Sequence, residues 1–198
     1  MTRTLTATAF AIALLGASTA WAQTSGSTGG SAGGATATQG TAQGGASRTN
    51  ALDRGDRKFV EEAAAGGMAE VAHGRAAAQK ATNPQVKAFA ERMVADHTRS
   101  NEELKTIATA RGITLPAEPP KKAHKEMDKL MKKDGADFDK AYMKHMVDDH
   151  KKTVNLFEKQ AKNGKDGDLK SFAAKTLPTL QEHLKLAQAT HDAVKDAK

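Results

Sequence analysis

Four stretches of this 198-residue chain each carry a carboxylate beside, or three residues from, a histidine: Glu70 with His73, Asp96 with His97, Asp149 with His150, and Glu182 with His183. Imidazoles and carboxylates gathered in a helical core have the chemistry of a transition-metal site. Neutral imidazole suits zinc, copper or iron, and a flanking carboxylate can fix the orientation of a ligating ring. The same residues support a structural reading, in which each buried histidine hydrogen-bonds across the core to a carboxylate, as buried polar groups must. Neighbouring helix positions point about 100° apart, so only one member of an adjacent pair can face the core. The apolar registers turn His97, His150 and His183 inward and leave Asp96, Asp149 and Glu182 on the flanks, while Glu70 and His73, three apart, share a face. The candidate metal ligands are therefore Glu70, His97, His150 and His183, with His73, Asp96, Asp149 and Glu182 around them.

Other chemistry has less support. There is no Cys, no Gly-x-Ser-x-Gly and no phosphate-binding loop, so no catalytic residue is assigned. Met93, Met143 and Met146 fall on core positions, and Met127 and Met131 are four apart. Thioethers with imidazoles would suit Cu(I), but methionine at helical spacing also serves as core filler. His124, His145 and His191 fall on positions read as exposed and are assigned nothing.

The elements that must position these groups are helices. Asp56 is placed as the cap of a first helix running to about Lys80, with Gly66-Gly67 either allowing close helix packing or lying beside a site. Asn83-Pro84 is a sharp start signal, and Val86, Phe89, Ala90, Met93, His97, Leu104 and Ala108 keep to one face until Arg111-Gly112. A Pro-rich stretch (ITLPAEPP) and a short helix over about Lys121–Lys133 follow. Asp137 is placed as the cap of the third long helix, with Phe138, Tyr142, Met146, His150, Val154 and Phe157 inward and Asn163-Gly164 as its end. Asp168 opens the fourth, in which Pro178 removes the bond to Ala174 and introduces a kink. No alternating β-branched run signals a strand.

Connection lengths set the topology. Tight turns join helices one and two, and three and four, whereas about 25 residues separate the two hairpins. This predicts an all-α fold: a ferritin-like four-helix bundle of two antiparallel hairpins joined by a long crossover that carries a short extra helix. Measured from the tight turns, Glu70, His97, His150 and His183 lie within a few ångströms of one height, at about 1.5 Å per residue. A short internal repeat agrees. Phe59 with Glu70 matches Phe138 with Asp149, and Val86–Ala90 matches Leu169–Ala173.

Outside the helices, residues 1–22 read as a secretory signal peptide: Arg3, the apolar run Ala9–Leu15, and Ala20-Trp21-Ala22 before Gln23. The apolar run is shorter than the roughly 20 residues needed to span a bilayer, so no transmembrane segment is expected in the mature chain. Residues 23–52, rich in Gly, Ser, Thr, Ala and Gln, read as a disordered tether. The helical domain is assigned to 53–198. Only Arg3 and Arg48 of the 30 Lys and Arg, and none of the 23 Asp and Glu, precede Asp53, leaving the remainder at net +5. For an exported basic protein the candidate partners are anionic envelope components (lipid, lipopolysaccharide or wall polymer) rather than nucleic acid. The interspersed charges are equally those of a solvated surface.

The segments VKAFAERMVADH (86–97), FDKAYMKHMVDDH (138–150) and LPTLQEHL (177–184) resemble the signatures of an exported bacterial family catalogued as domain of unknown function 4142 and described as ferritin-like. The resemblance runs from about Asp56 to Ala189. It implies a signal peptide, a periplasmic or outer-membrane-associated location and a four-helix fold, but no established activity. Ferritin-type di-iron sites use a Glu from each of two helices and Glu-x-x-His from each of the other two. Glu70 matches the first and Asp149 stands in for another, but the second and fourth helices lack Glu-x-x-His, so ferritin iron chemistry does not carry over. Three functions remain: a non-enzymatic periplasmic envelope or stress-associated protein with a central His/carboxylate layer, a transition-metal-binding bundle (Zn, Fe or Cu) with a redox role, and a basic envelope-binding module.

Overall fold

The computed structural model describes residues 52–196; the expected signal peptide and nearly all of the tether lie outside them. Five helices account for the fold: α1 (Arg54–Lys80), α2 (Pro84–Ala110), α3 (Lys121–Met131), α4 (Gly135–Asn163) and α5 (Gly167–Val194). Among the described residues there is no strand.

Local chemistry explains most helix ends. Asn83 accepts hydrogen bonds from the backbone N–H groups of Gln85 (2.8 Å) and Val86 (3.4 Å), with Pro84 in the first helical position. At the other end of α2, Gly112 takes φ of 69°, a left-handed conformation that glycine adopts without a Cβ clash. This lets Ile113 N–H reach the Ala108 carbonyl and Gly112 N–H the Thr109 carbonyl, the paired bonds of a Schellman stop. α5 runs unbroken through Pro178. The carbonyl of Ala174, which proline cannot engage, belongs to an exposed residue and can be hydrated.

Three expected caps lie elsewhere. α1 is capped by Asp53, which accepts from Gly55 N–H at 2.9 Å. α4 begins at Gly135, two residues before Asp137, and α5 is capped by Asp166 rather than opened by Asp168. Asp56 is buried in the first turn of α1 and accepts from the side chain of Gln160 (2.8 Å) and the backbone N–H groups of Lys165 and Asp166 (3.2 and 2.8 Å). It therefore holds the α4–α5 turn. Asp139, buried near the start of α4, does the same for the α1–α2 turn, accepting from Thr82 N–H, Thr82 Oγ1 (2.6 Å) and Asn83 N–H (2.8 Å). Each hairpin thus carries the carboxylate that fastens the turn of the other.

These clamps fix direction. The start of α1 meets the end of α4, and the start of α4 meets the end of α1, so the two helices run antiparallel. The 111–134 connection must return along the length of the domain to begin α4. Within it, α3 lays Ala123 and Leu130 inward, and the Ala123 carbonyl accepts from His73 Nε2 at 3.0 Å. The clamp residues are related by a spacing of 83 (Asp56 to Asp139, Thr82 to Lys165, Asn83 to Asp166). The Val86 to Leu169 match keeps that spacing. The Phe59 to Phe138 match is one helical turn short of it, and Phe59 corresponds to Tyr142 instead.

The apolar core comes in two parts. One gathers Phe59, Leu104, Phe157, Phe172 and Leu180, with the Phe59 and Phe157 rings edge-to-face at 5.1 Å. The other gathers Phe89, Met93, Phe138, Tyr142, Met143 and Met146. Between them lies a buried polar layer of Glu70, His73, His97, His150 and His183.

Candidate metal centre

His97 on α2, His150 on α4 and His183 on α5 meet in this layer. Their ring centroids lie 5.5–5.7 Å apart, and one ring nitrogen of each is within 4.8 Å of those of the other two. All three are buried because they occupy inward positions in helix registers otherwise filled by apolar residues.

Hydrogen bonds fix the state of two rings. His150 Nδ1 lies 2.9 Å from the Met146 carbonyl, one turn back on its own helix. A carbonyl can only accept, so Nδ1 carries the proton and Nε2 of the neutral ring keeps its lone pair. His183 Nε2 donates to Asp96 Oδ2 at 3.0 Å, leaving the lone pair on Nδ1. Asp96 is held in turn by Arg92, whose guanidinium also reaches Glu182. His150 Nε2, His183 Nδ1 and His97 Nε2 are buried with no hydrogen-bond partner.

Burial and mutual repulsion keep the rings neutral. Burial, then the neighbouring His150 and His183, lower His97 to about 3. Burial, then His183, lower His150 to about 4, although the Met146 carbonyl opposes this. His183 is lowered by burial against the pull of Asp96. Burial pushes the Asp96 carboxyl up, but the hydrogen bonds from His183 and Arg92 outweigh it and hold Asp96 below its ordinary value.

Glu70, the fourth expected ligand, lies apart from the convergent nitrogens. Only 5 % exposed, it places Oε1 3.6 Å from His150 Nδ1, the nitrogen already turned to Met146. Burial, with the charge of Asp149 added, lifts Glu70 to about 8. With His150 neutral as well, the contact is a polar one rather than an ion pair. Burial and then Glu70 push the Tyr142 hydroxyl well above its ordinary range.

The surrounding residues divide. Asp96 orients His183 as its flanking position suggested. Glu182 is largely exposed and touches Arg92 rather than a histidine. Asp149 pairs with His145 (3.2 Å) and Lys152 (3.1 Å). His73 is not in the convergent set; its Nδ1 accepts from His145 Nε2 at 3.2 Å. Contrary to the exposed position expected of it, the His145 side chain is only 17 % exposed and is held between His73 and Asp149. Its spacing of four from Asp149 was the available signal. His124 is exposed and His191 half-buried.

A family model described as a domain of unknown function (DUF4142) matches residues 41–190. The chain belongs to this family. No curated protein and no solved structure matches it. In this DUF4142 domain, no helix among the described residues is long and apolar enough to cross a membrane.

Proposed function

We propose that this DUF4142 protein binds one transition-metal ion through His97, His150 and His183. The observation that carries the reading is that two of the three rings spend their N–H groups outward, on Met146 and Asp96, while the lone pairs of His150 Nε2 and His183 Nδ1 stay buried with no hydrogen-bond partner. A structural polar layer would pair an N–H of one ring with a nitrogen of the next. Here a cation is the missing partner. Three neutral imidazoles suit zinc, copper or iron, and the Asp96–His183 bond is the outer support typical of a ligating histidine. Two nitrogens on a tetrahedral ion lie about 3.4 Å apart for bonds of about 2.1 Å, so from within 4.8 Å the rings need to close by up to about 1.4 Å. No sulfur ligand takes part in this reading.

The setting we propose is the periplasm, on the strength of the signal-like pattern of residues 1–22 and the tether pattern of 23–52. For the domain we infer a ferritin-like four-helix bundle. This rests on the antiparallel α1 and α4 and the long 111–134 return. The single imidazole cluster, with Glu70 outside it, favours a mononuclear centre over a ferritin-type pair.

The test is elemental analysis of the exported protein, purified without a histidine tag, together with melting curves after metal addition. We expect one equivalent of metal and a rise in melting temperature, because a ligand that binds the native state stabilises it. Both should vanish in the folded triple variant His97→Gln, His150→Gln, His183→Gln. A protein that stays empty when challenged with zinc, copper, iron and manganese would refute the reading.

A further inference from the structure

Beside the three histidines lies a cavity of about 40 Å³, with His97 and His183 in its wall. Apolar side chains such as Leu104, Phe157 and Leu180 make up most of the wall, which also holds the carboxylates of Glu62, Glu70 and Asp96. Ser100 and Asn101 of α2, Thr153 of α4, and Thr176 and Thr179 of α5 contribute short polar side chains. At about 10–15 Å³ per water-sized site, the space admits a ligand of up to about three non-hydrogen atoms. Gly66 lies at its edge, in a place where a Cβ would meet nothing within 4 Å.

This cavity bears on the number of protein ligands. Among the described residues three ring nitrogens converge, whereas Glu70, which also borders the cavity, places Oε1 against the His150 nitrogen turned to Met146, and Asp96 is engaged by His183 and Arg92. A metal ion held by three histidines therefore has a coordination position that the protein does not fill. Structural zinc sites close all four positions, whereas sites that exchange ligands keep one open.

We infer that the open position faces this cavity and that the site takes one small exogenous ligand there, a water or an anion of up to three non-hydrogen atoms. The hydroxyls of Ser100, Thr153, Thr176 and Thr179 and the Asn101 amide provide hydrogen bonds to such a ligand, which a bare apolar cavity would not. The site is thereby one for ligand exchange rather than a sealed structural staple. The inference rests on the metal-binding reading above, and its test separates the two.

The full chain is loaded with cobalt(II), whose visible spectrum reports coordination, and titrated with sodium azide and then with benzoate. We expect a saturable change at one azide per cobalt and no response to benzoate, which exceeds the cavity. Ser100→Leu and Thr153→Leu, which fill the cavity from separate helices, should keep one cobalt and weaken azide binding roughly tenfold or more. Failure to take up cobalt would overturn both readings. Cobalt uptake with a spectrum indifferent to azide would overturn this one alone. So would an equal response to benzoate, which needs no variant to observe, or an unchanged azide affinity in both filled variants.

Discussion

At the scale of single residues, the buried polar layer sets opposed pH dependences. His97 and His150 titrate near 3 and 4 in the folded protein and His183 is lowered as well, against 6.5 in the open chain. Below pH 6.5 the unfolded chain takes up protons that the folded one refuses, so the histidines' contribution to stability falls as pH falls. Glu70 behaves oppositely. Between 4.5 and about 8 it holds a proton when folded that it loses when unfolded, so its contribution falls as pH rises through that window. With His73, also lowered by burial, four groups outweigh one below 6.5. Above it Glu70 acts alone, and these groups place the stability maximum of the metal-free protein near pH 6.5. Each proton contributes a slope of about 1.4 kcal/mol per pH unit. Urea denaturation across pH 4–9 should show both arms, with Glu70→Gln removing the alkaline arm and sparing the acid one. The inward histidines were legible because each interrupts an apolar register. Which carboxylate meets which ring was not: Asp96 and Glu182 sit identically before a histidine, and only the neighbouring helix decides that Asp96 reaches one.

At the scale of the helix, α1 carries three glycines in its interior with different duties. A Cβ on Gly74 would stand 2.9 Å from the Ala90 carbonyl and from Val94, both on the facing helix α2. A backbone oxygen cannot swing aside, so Gly74→Ala should destabilise by about 1–3 kcal/mol. On Gly67 a Cβ would collide with the Asn101 amide, the movable end of a side chain, and a smaller loss is expected. Gly66→Ala meets no obstacle and should stabilise by up to about 1 kcal/mol through helix propensity. Equilibrium denaturation of the three variants checks the order. Chain order alone singled out the Gly66-Gly67 pair: Gly67 packs against Asn101, and both glycines border the cavity. Gly74 was illegible because its reason lies on α2. The Asn83-Pro84 start and Gly112 stop were readable because their bonds are made within a few residues. The cap expected at Asp56 was misplaced because an aspartate near a helix start looks the same whether it holds its own helix or a distant turn.

At the scale of the whole molecule, Asp56 and Asp139 do the holding. Asp139 accepts three hydrogen bonds in a buried place, two of them from backbone N–H groups that otherwise lack a helix partner. Removing a charged acceptor from buried donors is costly. Asp139→Ala should lower stability by about 3 kcal/mol, with Asp56→Ala similar, measured by chemical denaturation. Both hairpins and their long connection followed from spacing in the chain. The reciprocal fastening did not, since its partners are 56 to 110 positions apart.

That fastening also sets an order of events during synthesis. The first hairpin leaves the ribosome with its turn amides bare, and they stay so until Asp139 has been made. Asp56 waits longer still, for Lys165 and Asp166. A chain halted after α2 would therefore hold a hairpin with an open turn and a loose carboxylate, each matching the complement on a second hairpin. The last lock has all its parts once Asp166 is made, before α5 itself has been synthesised.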